Sequence, residues 1–169
     1  MNAEAVLLHH PPNESMFSEL YRGHALGLTR LAFIMLGDRQ TAEDVVQEAF
    51  LGLYRRWSAL RERDKALAYV RSAVLNGCRS TLRRRRLPFA SAMPSPSAEA
   101  EVLLDEDRRE VIEALQRLPL RQREALILRY FLDLSEEEIA TAMRISRGTV
   151  KSTTSRGIAA LGRMIEENR

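Results

Sequence analysis

Three basic side chains lie among small hydroxyl residues near the end of the 169-residue chain, in the stretch SRGTVKSTTSRG at positions 146–157. Arginine and lysine bind phosphate, while serine and threonine hydroxyls bond to phosphates or base edges. Nothing bulky stands between them, so a helix made of these residues can approach DNA closely. The stretch indicates nucleic-acid binding; an ordinary surface helix with scattered bases is the alternative.

The residues before this stretch predict a helix-turn-helix. Ser135 and Glu138 have the S-x-x-E spacing of a capping box, which predicts a short helix over 136–143. Residues 144 and 145 form the predicted turn, and Ser146 caps a second helix. A short helix, a tight turn and a second helix place the second helix in the major groove of DNA.

A helical wheel divides the second helix into two faces. Val150, Thr154, Gly157 and Leu161 share the side predicted to pack on the core, with Ile158 at its edge. The opposite side carries small and basic residues: Gly148, Thr149, Lys151, Ser152, Ser155, Arg156 and Ala159. Arg147 joins them at the helix start, where backbone N–H groups attract phosphate.

A second basic region lies between positions 55 and 86, with eleven basic and only two acidic residues. Such an imbalance favours a polyanionic partner. Tyr54, Trp57 and Tyr69 are interleaved with the bases, and aromatic rings stack on unpaired bases for about 1–3 kcal/mol each. The pattern predicts single-stranded nucleic acid as ligand. Burial in the core is an equal alternative for Trp57, and the run RRRR at 83–86 is also typical of a helix end.

The stretch TAEDVVQEAFLGLYRRW at 41–57 predicts an amphipathic helix that Thr41 caps. Its predicted core face consists of Ala42, Val45, Val46, Ala49, Phe50, Leu53 and Trp57. Its opposite face consists of Asp44, Gln47, Glu48, Leu51 and Arg55. A solvated face with one stray leucine is the simpler interpretation, and a docking surface with an apolar centre is the alternative.

Helical periodicity runs through most of the chain and predicts an all-α protein. Helices are expected over 16–36, 40–58, 66–86, 99–118, 121–132, 136–143 and 147–166. Three prolines in LPFASAMPSPSA predict an extended linker over 88–98. We therefore expect a flexible N-terminus over 1–15, a helical domain over 16–87, the linker, and a helix-turn-helix domain over 99–169. In the latter, Leu126, Leu128, Tyr130 and Phe131 are available to pack.

Several classes of protein are disfavoured by composition. Cys78 is the only cysteine, so an internal disulfide is excluded and a reducing compartment is expected. No apolar run approaches the ~20 residues of a membrane span, and no signal-peptide pattern opens the chain. The three histidines and Cys78 lack metal-ligand spacing, and no nucleophile–base set is present. We expect a soluble cytoplasmic protein with no enzymatic activity, cofactor, metal or membrane partner.

Two separated stretches resemble one family. TAEDVVQEAFLGLYRRW followed by AYVRSAVLNGCRSTLRRRR resembles region 2 of bacterial sigma-70-type initiation factors. LPLRQREALILRYFLDLSEEEIATAMRISRGTVKSTTSRGIAALGR resembles region 4. Two regions joined by a short linker resemble the extracytoplasmic-function (ECF) group, above all its actinobacterial SigE-type members. The resemblance covers about residues 16–163.

The resemblance implies a protein that directs core RNA polymerase to promoters. It implies contacts with the clamp helices of the polymerase β′ subunit through Asp44, Gln47, Glu48 and Leu51. The melted −10 element is assigned to Trp57, Arg61, Arg63, Tyr69, Arg71, Asn76, Arg79 and Arg83. The −35 element is assigned to Arg147, Thr149, Lys151, Ser152, Ser155 and Arg156. The polymerase β flap and an anti-sigma factor are further candidate partners.

Three other classes stay open on the residues alone. A stand-alone helix-turn-helix regulator would dimerise through its first half and bind palindromic duplex DNA without polymerase. A helical enzyme would need a catalytic constellation, which the sequence does not display. An α-helical adaptor would bind only protein. The acidic helix face and the proline-rich linker argue against the first of these.

Overall fold

The structure is a computed structural model that describes residues 12–86 and 106–167, and within these ranges it contains helices and no strand. Its helices are α1 (Pro12–Leu36), α2 (Arg39–Arg56), α3 (Ala66–Arg85), α4 (Glu106–Arg117), α5 (Leu120–Tyr130), α6 (Glu136–Met143) and α7 (Arg147–Glu167). Two 3-10 turns, Trp57–Ala59 and Arg63–Lys65, connect α2 to α3. The predicted all-α class is confirmed, while the predicted linker lies outside the described residues. No helix in these ranges is long and apolar enough to cross a membrane.

Helices α1, α2 and α3 form the N-terminal half around an apolar core. Leu28, Leu31, Leu53, Val70 and Leu75 are each at most 2% exposed. The predicted core face of α2 is buried as well, apart from one half-buried valine at position 45. This core holds α2 and the basic helix α3 side by side.

The start of α2 differs from the prediction. The helix begins at Arg39, and Asp38 is its N-cap because the Asp38 carboxylate accepts the N–H of Thr41 at 2.8 Å. Thr41 lies inside the first turn, so the prediction that it caps the helix is wrong. Helix α1 begins at Pro12 instead of Met16; proline suits a first turn, where its missing N–H would have no partner.

A glycine ends α1 and turns the chain toward α2. Gly37 has a φ of 73°, in the left-handed region where residues with a Cβ are strained. Its N–H donates to the carbonyl of Phe33 at 2.7 Å and so satisfies one of the last free carbonyls of the helix.

Helices α4 to α7 form the C-terminal half. Leu115, Leu118 and the α5 residues 125–128 are buried, and the expected break at Pro119 separates α4 from α5. Tyr130 and Phe131 are 62% and 51% exposed, so the prediction that they pack is wrong. Both residues lie at the C-terminal end of α5, after Leu128, its last buried residue.

The two halves pack on each other. Helix α1 contacts α4 and α5, and α3 contacts α6. The guanidinium of Arg123 donates to the carbonyls of Met35, at 2.7 Å, and of Leu115, at 3.0 Å. Both carbonyls lie in the last turns of their helices, α1 and α4, and the Leu115 carbonyl also accepts the N–H of Leu118 at 3.1 Å. Buried apolar residues of both halves belong to one contiguous cluster.

Two glycines of α7 provide a matched pair for testing how this helix packs. A Cβ at Gly162 would meet no atom within 4 Å, whereas a Cβ at Gly157 would lie 3.1 Å from the Cγ of Leu126. Gly162→Ala should raise the free energy of unfolding by about 0.5–1 kcal/mol, because alanine loses less backbone entropy in a helix. Gly157→Ala should raise the free energy of unfolding by less, or lower it, because the added Cβ would crowd the buried side chain of Leu126. Urea unfolding followed by circular dichroism measures both, and equal stabilisation would contradict the packing.

Candidate nucleic-acid interface

The helix-turn-helix begins with the predicted capping box at the start of α6. The Oγ of Ser135 accepts the N–H of Glu138 at 3.2 Å, and the Glu138 carboxylate accepts the N–H of Ser135 at 2.9 Å. The hydrogen bond from the Ser135 N–H is the main reason why the pKa of Glu138 is lowered. The cap fixes where α6 starts and therefore which of its residues are buried: Ile139, Ala142 and Met143.

The predicted turn between α6 and α7 is confirmed. Arg144 has a left-handed φ of 55°, which bends the chain, and Ile145 is half buried against the core. Ser146 then caps α7, because its Oγ accepts the N–H of Thr149 at 3.1 Å. The turn and the cap together set the direction of α7.

The outer face of α7 is exposed, as predicted. We define the α7 outer face by its exposed residues: Gly148, Thr149, Lys151, Ser152, Ser155, Arg156 and Ala159. Val150 and Gly157 are buried on the other side. Thr153 is buried there in place of the predicted Thr154, because the buried arc advances by three and then four residues and leaves Thr154 at its edge.

The bases of α7 have only weak partners. Arg147 and Lys151 each lie 3.8 Å from the carboxylate of Glu136, and both side chains are 66% exposed. The Nε of Arg156 donates to the backbone carbonyl of Ser152 at 3.2 Å. Exposed ion pairs contribute about 0–1 kcal/mol, so DNA phosphates can replace these partners.

The second candidate surface is formed by α3 and the loop before it. Arg61, Asn76 and Arg83 are exposed. Tyr69 is half buried, and the guanidinium of Arg56 lies 5.8 Å from the centre of its ring. Cationic groups and an aromatic ring along one surface suit a single-stranded nucleic acid.

Trp57 differs from the other predicted residues of this surface because it is buried. It is only 5% exposed, Phe17 packs edge-on with ring centres 5.4 Å apart, and the Arg63 guanidinium lies 5.9 Å from its ring centre. Trp57 therefore has the core role that the sequence left open as an alternative. It gives no support to stacking of Trp57 on a base.

Two arginines predicted to contact DNA face the C-terminal half. Arg79 forms a bidentate ion pair with Glu124, with Nε–Oε1 and Nη2–Oε2 distances of 2.6 and 2.9 Å. Arg71 lies 3.3 Å from the carboxylate of Glu138. The sequence reasoning missed both acidic partners. The one signal for Glu124 was a charged residue at the start of the apolar run EALIL.

The single cysteine lies on the buried side of α3. Burial raises the pKa of the Cys78 thiol to about 12, so the thiol stays protonated at neutral pH. Among the residues that the structure describes, no group of His, Cys, Asp and Glu is arranged to hold a metal ion.

The predicted docking face of α2 is accessible to a partner. Its exposed residues are Asp44, Gln47, Glu48 and Leu51. Asp44 accepts a hydrogen bond from Gln40 at 3.1 Å, and Glu48 lies 4.0 Å from Arg55. Leu51 is 42% exposed among these polar groups. The arrangement supplies an apolar centre with an acidic rim.

Family models of the sigma-70 proteins match both halves. The model for sigma-70 region 2 matches residues 20–87, and the model for sigma-70 region 4 matches residues 108–161. The first match contains α2 with its candidate docking face and the basic helix α3, and the second contains the helix-turn-helix.

Solved structures share the fold over most of the chain. CnrH, in complex with the cytosolic domain of CnrY, gives a TM-score of 0.75 at 21% identity and covers 94% of this chain and 92% of its own. The sigma factor RpoE of Bartonella quintana, in complex with the anti-sigma factor NepR, gives a TM-score of 0.72 at 22% identity. This match covers 90% of this chain and 98% of the RpoE chain.

The helices and their two basic surfaces define a DNA-binding protein built from two halves. Relatives of known family identify the family within this class. The RNA polymerase sigma-E factor of Streptomyces antibioticus is 32% identical over 152 residues, covering 89% of this chain and 84% of the relative. The ECF RNA polymerase sigma factor SigM of Mycobacterium tuberculosis is 30% identical over 168 residues, which cover 97% of this chain and 84% of SigM. The chain belongs to the extracytoplasmic-function group of the sigma-70 family.

Proposed function

We propose that this protein directs core RNA polymerase to specific promoters. The α7 outer face recognises the −35 duplex, α3 and its preceding loop bind the opened −10 element, and α2 docks on the polymerase. The observation that carries the proposal is the α7 outer face, which is small, polar, basic and exposed on a capped helix-turn-helix. In this proposal the protein works in the cytoplasm and has no catalytic activity of its own.

Recognition of the −35 duplex follows from the side chains of α7. Its small residues let the helix backbone lie close to the floor of the major groove. Lys151 and Arg156 are long enough to reach phosphates or the O6 and N7 atoms of guanine, and Ser152 and Ser155 bond to either. Arg147 stands at the N-terminus of α7, where free N–H groups and the helix dipole favour a phosphate.

Capture of the −10 element depends on groups that can bind unpaired bases and their backbone. Arg61, Asn76 and Arg83 are exposed, and Arg63 and Tyr69 are partly accessible. Unstacking of the duplex costs free energy, which ring contacts and phosphate neutralisation must offset. Trp57 supports this surface from within the core.

Docking on polymerase brings the two DNA-binding halves to one promoter. The acidic rim and the apolar Leu51 of α2 suit the β′ clamp helices. Tyr130, Phe131 and Ile158 are exposed on the C-terminal half and suit an apolar segment such as the β flap. Two modules on one chain gain from a high effective concentration once the first is bound. Since a solved relative is a sigma factor bound to an anti-sigma factor, such a factor is a further proposed partner.

Transcription in vitro tests the proposed function directly. Purified core polymerase and this protein should start RNA at defined positions on fragmented genomic DNA, and sequencing of the RNA 5′ ends locates them. Core polymerase alone is the control. If the protein adds no defined start sites, the proposed function is wrong.

Removal of the bases on α7 tests the duplex-binding surface. Lys151→Ala and Arg156→Ala should each weaken upstream-duplex binding and lower the slope of log K against log salt by about one per lost phosphate contact. Fluorescence anisotropy over a salt series measures both quantities. Arg30→Ala, which removes the same charge from an exposed site on α1, should leave the slope unchanged. Slopes that are equal for all variants would place the α7 outer face away from DNA.

Charge reversal tests the docking face of α2. Asp44→Lys and Glu48→Lys should weaken binding to core polymerase at least tenfold, because each exchanges an attractive charge for a repulsive one. Glu113→Lys makes the same charge change at an exposed position of α4 and serves as the control. Circular dichroism verifies the fold of each variant. Wild-type affinity of the two α2 variants would exclude this face from docking.

A further inference from the structure

We propose that Arg144, in the turn between α6 and α7, binds a phosphate of the DNA backbone and so extends the α7 outer face beyond the helix itself. The inference rests on the proposed function, which places α7 in the major groove of a duplex. A phosphate contact adds affinity and orients the protein on the duplex without reading a base. The observation that carries the inference is an exposed arginine in a backbone conformation that suits glycine.

The backbone of Arg144 is left-handed, with a φ of 55° and a ψ of 49°. A residue with a Cβ is strained in this conformation, whereas glycine is not. Asparagine and aspartate tolerate it because their short polar side chains bond locally, and arginine lacks that means. Among the described residues, Asp133 is the one other non-glycine with a positive φ. Strained conformations of this kind concentrate at binding sites, so the side chain of Arg144 is a candidate for a function.

The turn itself does not require an arginine side chain. The N–H of Arg144 donates to the carbonyls of Ala140 and Thr141, and every residue except proline has this N–H. The carbonyl of Met143 accepts a hydrogen bond from the guanidinium of Arg121 at 3.3 Å. Three of the last four carbonyls of α6 therefore have donors other than the Arg144 side chain. Glycine at this position would make the same backbone contacts without strain.

The charge of Arg144 has no counterpart in the parts of the chain that the structure describes. Nothing within residues 12–86 and 106–167 forms an ion pair or a hydrogen bond with its exposed guanidinium. The neighbouring bases Arg147 and Lys151 share the carboxylate of Glu136, each at 3.8 Å. Residues 139–165 contain five basic residues and no acidic one. Such a concentration of positive charge attracts a polyanion, and a DNA strand supplies one phosphate for each base.

The place of Arg144 in the helix-turn-helix brings it to the DNA backbone. In this motif the N-terminal residues of the second helix contact base edges, and the first helix crosses the backbone. Arg144 is the C-cap of α6, the first helix, and Arg147 is the first residue of α7. Their Cα atoms are at most about 11 Å apart, because three peptide units join them. The two guanidinium groups can therefore bind phosphates of the same duplex, each with the paired N–H donors that suit phosphate oxygens.

Substitution by glycine distinguishes a phosphate contact from a structural role. Arg144→Gly removes the guanidinium and relieves the left-handed backbone at the same time. The midpoint of thermal unfolding of the full-length chain should therefore rise by about 2–4 °C, while the affinity for duplex DNA falls. A purely structural role would change stability and binding in the same direction. Circular dichroism measures the unfolding midpoint.

The binding measurement uses a fluorescein-labelled duplex taken from upstream of a start site that the transcription experiment has located. Fluorescence anisotropy over a salt series gives the affinity and the slope of log K against log salt. Arg144→Gly should weaken binding about five- to tenfold at about 0.1 M salt and lower the slope by about one, as expected for one lost phosphate contact.

Three control variants isolate the contribution of the guanidinium. Arg144→Lys keeps the charge and the strained backbone, so the slope and the unfolding midpoint should both stay at the wild-type values. Asp133→Gly relieves the other left-handed residue and removes a negative charge, so it should not weaken binding. Arg30→Ala removes one positive charge from an exposed site on α1 and should leave the slope unchanged.

The outcomes separate this inference from the proposed function. A wild-type slope for Arg144→Gly, measured where Lys151→Ala does lower the slope, would overturn the phosphate contact and leave the proposed function intact. A fall in both the unfolding midpoint and the affinity would assign Arg144 a structural role and would overturn the inference as well. Absence of any defined start site in the transcription experiment would instead overturn the proposed function and this inference with it.

Discussion

The ion pair between Arg79 and Glu124 constrains how the two halves are arranged. A carboxylate with no exposed surface is tolerated in a core only when its charge is neutralised and its oxygens are hydrogen-bonded. Its principal partner stands 45 residues earlier in the chain, on a helix of the other half. The buried Glu124 therefore has one partner in each half, since Arg121 of its own helix also lies 3.2 Å from its carboxylate.

The same helices serve both the contact between the halves and the proposed contact with DNA. Helix α3 presents Arg71 and Arg79 to the C-terminal half, and α6 contacts α3 while it also supports α7. Arg71 and Arg79, which the proposed function assigns to promoter DNA, are paired in the structure with carboxylates of the same chain.

Local rules predicted most of the fold and of the α7 outer face. The capping box at Ser135 and the exposed outer face of α7 follow from spacing within one or two helical turns. The predicted cap Thr41 was wrong because the position of the first helical turn depends on backbone geometry, which makes Asp38 the N-cap. The partners of Arg71 and Arg79 could not be predicted, because no local pattern specifies which residues meet across 45 or 67 positions of sequence.

The covered thiol of Cys78 has a consequence for the signals that this protein can receive. Oxidants attack thiolates that solvent can reach, and a protonated side chain with no exposed surface offers them no target. Peroxide or a disulfide-forming reagent would therefore leave the folded protein unchanged at this position. A response to oxidative stress would therefore not act through this thiol.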